Sequence, residues 1–383
     1  MYKVPLMVNS IGIFDKLALA KFILTTNKFT KGKLVKQFEA AWSRWQNCKY
    51  SIFVNSGSSA NLILVEALKI KYGLKRGDKV LLPACTWSTN VSPIIQAGLT
   101  PVFCDINLND YSFKIDHAKK LKKVHDIKAV FVTHLLGLPA PMAQLKRIFR
   151  DSIFIEDCCE SHGAVIDGKK VGNHSEGSTF SFYFAHHMTT IEGGMVCTND
   201  KELRDLMLLQ RSHGMARELD PVDFKAAAHQ HSNVDPKFLF LTTGYNVRST
   251  EINAFIGLRQ IKRLDSYIET RQQMYCEFIE RLSVYTDYFH VPSTMGNSSF
   301  ALPLICKSAS VYNALKANLE LHSVETRPIV GSNLLRQPFL SEYGEGKYAN
   351  ADILHYSGLY IGNNQGMSSK KLDYIFTAID EII

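Results

Sequence analysis

The stretch Ser181-Phe182-Tyr183-Phe184-Ala185-His186-His187-Met188-Thr189-Thr190-Ile191-Glu192-Gly193-Gly194 joins two β-rich runs, 178–183 and 195–198, and sets a histidine pair just past the end of the first. Upstream, further β-rich runs fall at 50–54, 79–83, 100–105, 129–133 and 153–157, with helical patterns such as 60–72 and 141–150 between several of them. This alternation predicts an α/β fold with a mostly parallel sheet covered by helices, and ligands in such sheets sit beyond the carboxyl ends of the strands. After Asn246 the pattern changes. A helical run at 251–264 continues into a long charged helix through Arg281, followed by a strand at 300–306, a helix and a strand at 324–329. The expected organisation is a large domain, 1–249, and a smaller α+β domain, 250–383, with no internal repeat or low-complexity segment.

Composition agrees with this plan. A chain of 383 residues has room for two domains, and 46% hydrophobic with 21% charged residues is globular rather than disordered or fibrous. Apolar runs are all short, so no membrane span is expected. Asp15, Lys16 and Lys21 interrupt the apolar positions of 1–24, which does not read as a signal peptide, and a cytoplasmic location is expected. The eight cysteines include neighbours, Cys158-Cys159, and no C-x-x-C, so free thiols and no metal site are expected. The net charge of +8 has its densest run at Lys119-Lys120-Leu121-Lys122-Lys123, the solvated face of a helix. Such a surface suits anionic small molecules better than nucleic acid.

Three segments carry chemistry. Val54-Asn55-Ser56-Gly57-Ser58-Ser59-Ala60-Asn61 ends a strand and opens a helix. It reads either as an N-cap with a tight turn or as a phosphate cup made by backbone N–H groups at a helix start. Ile153-Phe154-Ile155-Glu156-Asp157 is a buried-strand pattern ending in two acids. Its last carboxylate either caps the next helix, binds a metal, or holds a pyridinium nitrogen protonated. Trp87 comes after another strand and is either core or a stacking platform for a flat ring. His186 and His187 are either satisfied core histidines, a metal pair, or a catalytic base with its neighbour. Their place just past a strand and beside Ser181 favours the base, and His186 is the residue chosen.

At the histidine pair the sequence resembles the nucleotide-sugar aminotransferases, the DegT-type family of fold-type I pyridoxal phosphate enzymes, whose members carry S-F-x-x-x-K before a G-E-G-G-like turn. The likeness runs through nearly the whole chain: Phe29-Thr30-Lys31-Gly32, Phe38-Glu39, the cup, Glu156-Asp157-Cys158-Cys159-Glu160-Ser161, Arg211-Ser212-His213-Gly214, Gly244-Tyr245-Asn246-Val247-Arg248 and Arg327-Pro328-Ile329-Val330. The lysine slot holds His186, which resembles the histidine-for-lysine dehydratase branch of the family.

The resemblance implies an aspartate aminotransferase-like fold that binds pyridoxal 5'-phosphate or pyridoxamine 5'-phosphate. It places Gly57, Ser58 and Ser181 at the phosphate, Asp157 at the pyridine nitrogen, Trp87 and Glu160 at the cofactor, and Asn246 across a two-fold interface at the partner's cofactor. Arg217, Arg248 and Arg327 become the substrate contacts, since arginine offers phosphate a planar fork of donors. The implied activity removes the C3 hydroxyl of a nucleotide-linked 4-keto-6-deoxy hexose, foremost a GDP-linked mannose derivative, with L-glutamate as amino donor. It would serve deoxysugar and lipopolysaccharide O-antigen synthesis, as a cytoplasmic homodimer with no nucleic-acid or membrane partner. The rivals are a sugar aminotransferase, which needs lysine in the slot; an iron–sulfur 3-dehydrase, which needs clustered cysteines; and a non-catalytic cofactor- or sugar-binding protein. The presence of Asp157, Ser181 and Glu192 around the histidines weighs against the last.

Overall fold

The computed structural model describes residues 2–343 and 346–383. Buried apolar runs build the large sheet from β1 (Tyr50–Val54), β2 (Lys79–Pro83), β3 (Thr100–Cys104), β4 (Ile127–Thr133) and β5 (Ile153–Asp157). A two-rung hairpin, β6 (Val165–Ile166) and β7 (Lys169–Lys170), stands apart, and β8 (Gly177–Ser181) and β9 (Gly194–Thr198) complete the sheet. The strand order is β1-β9-β8-β5-β4-β2-β3. Only β9 runs against its neighbours; the pairs from β8 through β5, β4 and β2 to β3 are parallel. Because β9 is reversed, its first residue, Gly194, lies level with the last residues of both β1 and β8, pairing with Val54 and Ser181. Thr133 and Asp157 close β4 and β5 at the same edge. One rim of the sheet therefore gathers the residues singled out from the sequence.

Helices α1 (Ile13–Thr25), α2 (Lys33–Gln46), α3 (Gly57–Tyr72), α4 (Ser88–Gln96), α5 (Ile115–Val124), α6 (Met142–Ile148), α7 (Lys201–Arg211) and α8 (Pro221–Gln230) surround or flank this sheet. In α3, Ala60, Ile63, Leu64, Ala67 and Leu68 are all buried, each large aliphatic contributing about 1.5–3 kcal/mol relative to exposure. The helix starts three residues before the expected 60. Ser56 caps it, its Oγ accepting from Ser59 N at 3.1 Å, and Gly73 ends it at φ +62°. The strand expected at 178–183 stops at Ser181, because the next turn folds Tyr183 N back onto the Ser181 hydroxyl at 3.3 Å.

The second half holds α9 (Glu251–Gln260), α10 (Leu264–Leu282), β10 (Phe289–His290), β11 (Ala301–Cys306), α11 (Ala309–Leu321), β12 (Thr326–Pro328), α12 (Ala349–Ser357), β13 (Gly358–Gly362) and α13 (Ser369–Asp380). Its sheet is antiparallel, in the order β10-β11-β13-β12. Two segments cross the expected division at 249/250. Helix α9 lies on α2, where a Cβ on Gly257 would come within 2.7 Å of the Phe38 ring. Glu251 caps α2: its carboxylate accepts from Gly32 N, Val35 N and Leu34 N, each at 3.0 Å. At the other end of the chain, Val4 bridges Val324 and Leu6 N donates to Glu325 at 2.9 Å, so the N-terminal segment follows the second sheet. One core cluster accordingly runs from Ile52 and Leu64 to Leu304 and Ile361. Among the described residues no helix is long and apolar enough to cross a membrane.

Candidate active site

At the gathered rim lies a cavity of about 480 Å³, walled by the strand ends of the large sheet and by Arg327, Phe300 and Tyr360 from the second half of the chain. Gly57, Ser58, Trp87, Asp157, Glu160, Ser181, His186 and Arg327 all line it.

The cup is made by convergence. Gly57 and Ser58 begin α3, and Ser181 ends β8 close beside them: a Cβ built on Gly57 would stand 2.8 Å from the Ser181 Cβ. Gly194 is equally constrained, its Cβ falling 2.3 Å from the Ser56 carbonyl oxygen. Glycine at both places lets three backbone segments meet around the helix start. The free N–H groups there and the serine hydroxyls suit a phosphate.

Asp157 is buried, and its carboxylate is aimed by two donors: Asn61 Nδ2 at 3.1 Å and Cys159 N at 2.8 Å. Asn61 is oriented in turn by the Thr179 hydroxyl, which donates to its Oδ1 at 2.6 Å. The adjacent Glu156 faces the other way and is saturated, accepting from His134, Gly172 N, His174 N and Ser175. Although His134, Glu156 and Cys158 stand close enough to grip an ion, those bonds occupy the Glu156 oxygens with donors, and His134 Nδ1 accepts from Ala140 N. Trp87 is 52% exposed at the start of α4, which takes it out of the core and leaves its ring on the cavity wall. Glu160 accepts from Leu136 N at 2.8 Å, while burial pushes its carboxyl up to about 8. A phosphate cup, an oriented carboxylate at a strand end and an aromatic face suit a planar pyridine carrying a phosphate.

The two histidines divide. His187 is fully buried, outside the cavity, with Nε2 donating to the Ser298 carbonyl at 3.0 Å. His186 is half-buried on the cavity wall. Its Nδ1 is buried without a partner, leaving Nε2 as the nitrogen open to the cavity. Burial, and then the charge of Arg271, push the His186 imidazole down to about 3, so it rests neutral and able to accept a proton. No lysine is among the residues lining the cavity. Of the cysteines only Cys159 reaches it, and all eight are unpaired.

Three expected site residues lie outside this cavity. Asn246 is exposed and bridged to Ser212; Arg217 is exposed just after α7; Arg248 bridges Val54 from outside the cup. Phe300 and Tyr360 line the cavity unforeseen, because nothing in the local pattern of a second-domain strand announces that it faces a rim built by the first domain.

Comparison with known proteins agrees with this geometry. Residues 14–380 match the model of the DegT/DnrJ/EryC1/StrS aminotransferase family. The chain is 36% identical over 373 residues to the GDP-4-keto-6-deoxy-D-mannose 3-dehydratase of Yersinia pseudotuberculosis, covering 93% of each chain. Among solved structures, the E. coli GDP-4-keto-6-deoxy-D-mannose-3-dehydratase with bound hydrated PLP superposes with a TM-score of 0.89 at 32% identity, over 99% of this chain and 100% of that one. A GDP-4-keto-6-deoxymannose-3-dehydratase with a trapped PLP-glutamate geminal diamine gives 0.88 at 31% identity, over 98% and 100%.

Proposed function

The chain belongs to the DegT/DnrJ/EryC1/StrS aminotransferase family, and from that premise we propose that it is a pyridoxal phosphate-dependent lyase removing the C3 hydroxyl of GDP-4-keto-6-deoxy-D-mannose. The observation that carries this reading is the cavity itself, which brings a helix-start cup and a buried carboxylate together with His186, and no lysine, on its wall.

When bound, the cofactor supplies an electron sink and an amine for the C4 ketone. Gly57, Ser58 and Ser181 hold its phosphate, Asp157 keeps its ring nitrogen protonated, and Trp87 covers its face. His186 Nε2 would take up the proton lost from the cofactor's amine-bearing carbon and, as imidazolium, return it to the departing C3 oxygen, which leaves as water. Histidine would supply the base without the lasting covalent tether that a lysine would form with the cofactor, and L-glutamate would be the amino donor. Arg327, the arginine on the cavity wall, is the contact for an anionic group of either substrate.

The enzyme acts as a homodimer in the cytoplasm, supplying deoxysugars for lipopolysaccharide O-antigen. Two observations support the dimer: the apolar face of α1, where Ile13, Phe14, Leu17 and Leu24 are 60–85% exposed, and the position of Asn246, Arg217 and Arg248 outside this chain's own cavity. The test is product mass spectrometry with glutamate and a panel of GDP-, CDP- and dTDP-linked 4-keto-6-deoxy sugars. A 3-deoxy-4-keto product from the GDP sugar is expected; an aminated sugar would replace this reading with transamination.

A further inference from the structure

Behind the cavity wall three histidines share an apolar enclosure. His162 is fully buried, its ring 5.1 Å from that of His187 and 6.2 Å from that of His186. Its remaining ring neighbours are those of Trp42, Phe180 and Phe182 at 5.6, 5.7 and 5.9 Å. Neither nitrogen of His162 has a hydrogen-bond partner, nor has Nδ1 of His186 or His187.

Arg271, on α10, is only 2% exposed and meets no carboxylate among the described residues. Its Nη1 donates to two main-chain carbonyls, Phe300 at 3.1 Å and Asn363, while Nε is unpartnered. A buried guanidinium is ordinarily paired with an acid, because an isolated charge is costly to remove from water. The carbonyl it grips leads back to the site. The Phe300 ring lies 5.2 Å from the His186 ring, and Phe300 N donates to Leu136 O at 2.9 Å, so this residue is held from both sides.

We propose that Arg271 is a positioning residue for the base: it fixes Phe300 against His186, and its unneutralised charge adds to burial in disfavouring a charged histidine in the cluster. This rests on the reading of His186 as the base. Opposing charges share the cavity. Asp157 at the end of β5, Glu160 beyond it and Glu192 on the following turn all line it with His186, and each carboxylate, when ionised, favours the imidazolium. Tyr183 from the histidine's own turn, Arg327 from β12, Tyr360 from β13, Cys159 and His134 complete the titratable wall. Burial displaces all three clustered histidines downward, and the Arg271 charge adds to it in every case.

The test is a histidine-ring NMR titration of the isotope-labelled holoprotein, from pH 8 down to its acid limit of folding, in wild type, Arg271→Gln and Arg271→Lys. Arg271→Gln raises the protonated fraction of His186 at the lowest folded pH about tenfold, the ratio for a one-unit shift, while Arg271→Lys follows wild type. Equal fractions in wild type and folded Arg271→Gln overturn the proposal. Should the glutamine variant not fold, Arg271→Met, an uncharged side chain of similar length that leaves no polar group in the apolar enclosure, gives the same readout, and again an unmoved His186 overturns it. Failure of the proposed reaction would show separately, as absence of dehydrated product from wild type.

Discussion

His187 donates its Nε2 proton to the Ser298 carbonyl at 3.0 Å, and that bond separates two histidines adjacent in the chain. The hydroxyl of Ser298 donates in turn to the His162 carbonyl at 2.6 Å, so His187 holds the segment that ends in Phe300 while His186 is left facing the cavity.

His186→Asn is expected to lose at least about a hundredfold in elimination rate, as a positioned proton-transfer group does. His187→Asn should retain much more activity but melt earlier, by about 1–3 kcal/mol for a buried carbonyl deprived of its donor. In a borohydride-labelling experiment with pyridoxal phosphate, wild type should carry no label at residue 186 and His186→Lys should acquire one. An active His186→Asn beside a dead His187→Asn would move the base to the second histidine.

Asp157→Asn should leave the fold intact, since the amide has the shape of the carboxylate and its one oxygen still accepts from Cys159 N while only the Asn61 bond is lost, and should cut elimination by about a hundredfold or more. Cofactor content is measured alongside. Normal turnover in a variant with normal cofactor content would reduce Asp157 to a cap for the Cys158–Cys159 turn.

Glu160 predicts a pH dependence of stability. Its carboxyl is held up to about 8 by burial, against about 4.3 in an unfolded chain. The folded state binds this proton more tightly, so the contribution is fully present below the unfolded value and is lost as pH rises through the folded one. Melting temperatures of wild type minus Glu160→Gln should therefore fall between pH 5 and 9. A constant difference across that range would mean that Glu160 is ionised throughout.

Refolding Asp157→Ala together with Asn246→Ala should restore part of the activity that each lacks alone, because a mixed dimer contains one site with both residues intact. Mixtures as inactive as their parents, under conditions that wild type survives, would show that Asn246 does not serve the partner's site.

The order of residues suffices to locate the strongly patterned strands and helices, and with them the cup, Asp157 and the histidine pair. These are local: a buried strand writes itself as an apolar run, a helix start as Ser-Gly-Ser, and the ligand edge comes from the parallel order. Strand ends were less legible, as at Ser181, because a hydroxyl-to-backbone bond decided where pairing stopped. Which histidine faces the cavity is settled only in the folded chain, since that turns on Ser298, more than a hundred residues away in sequence. Folding likewise makes Glu251 the cap of α2 and brings Phe300, Tyr360 and Arg271 around a site built by the other half of the chain. Contacts between segments far apart leave no periodicity in either segment, and an unpaired buried arginine reads, as a string of letters, like any charge on an amphipathic helix.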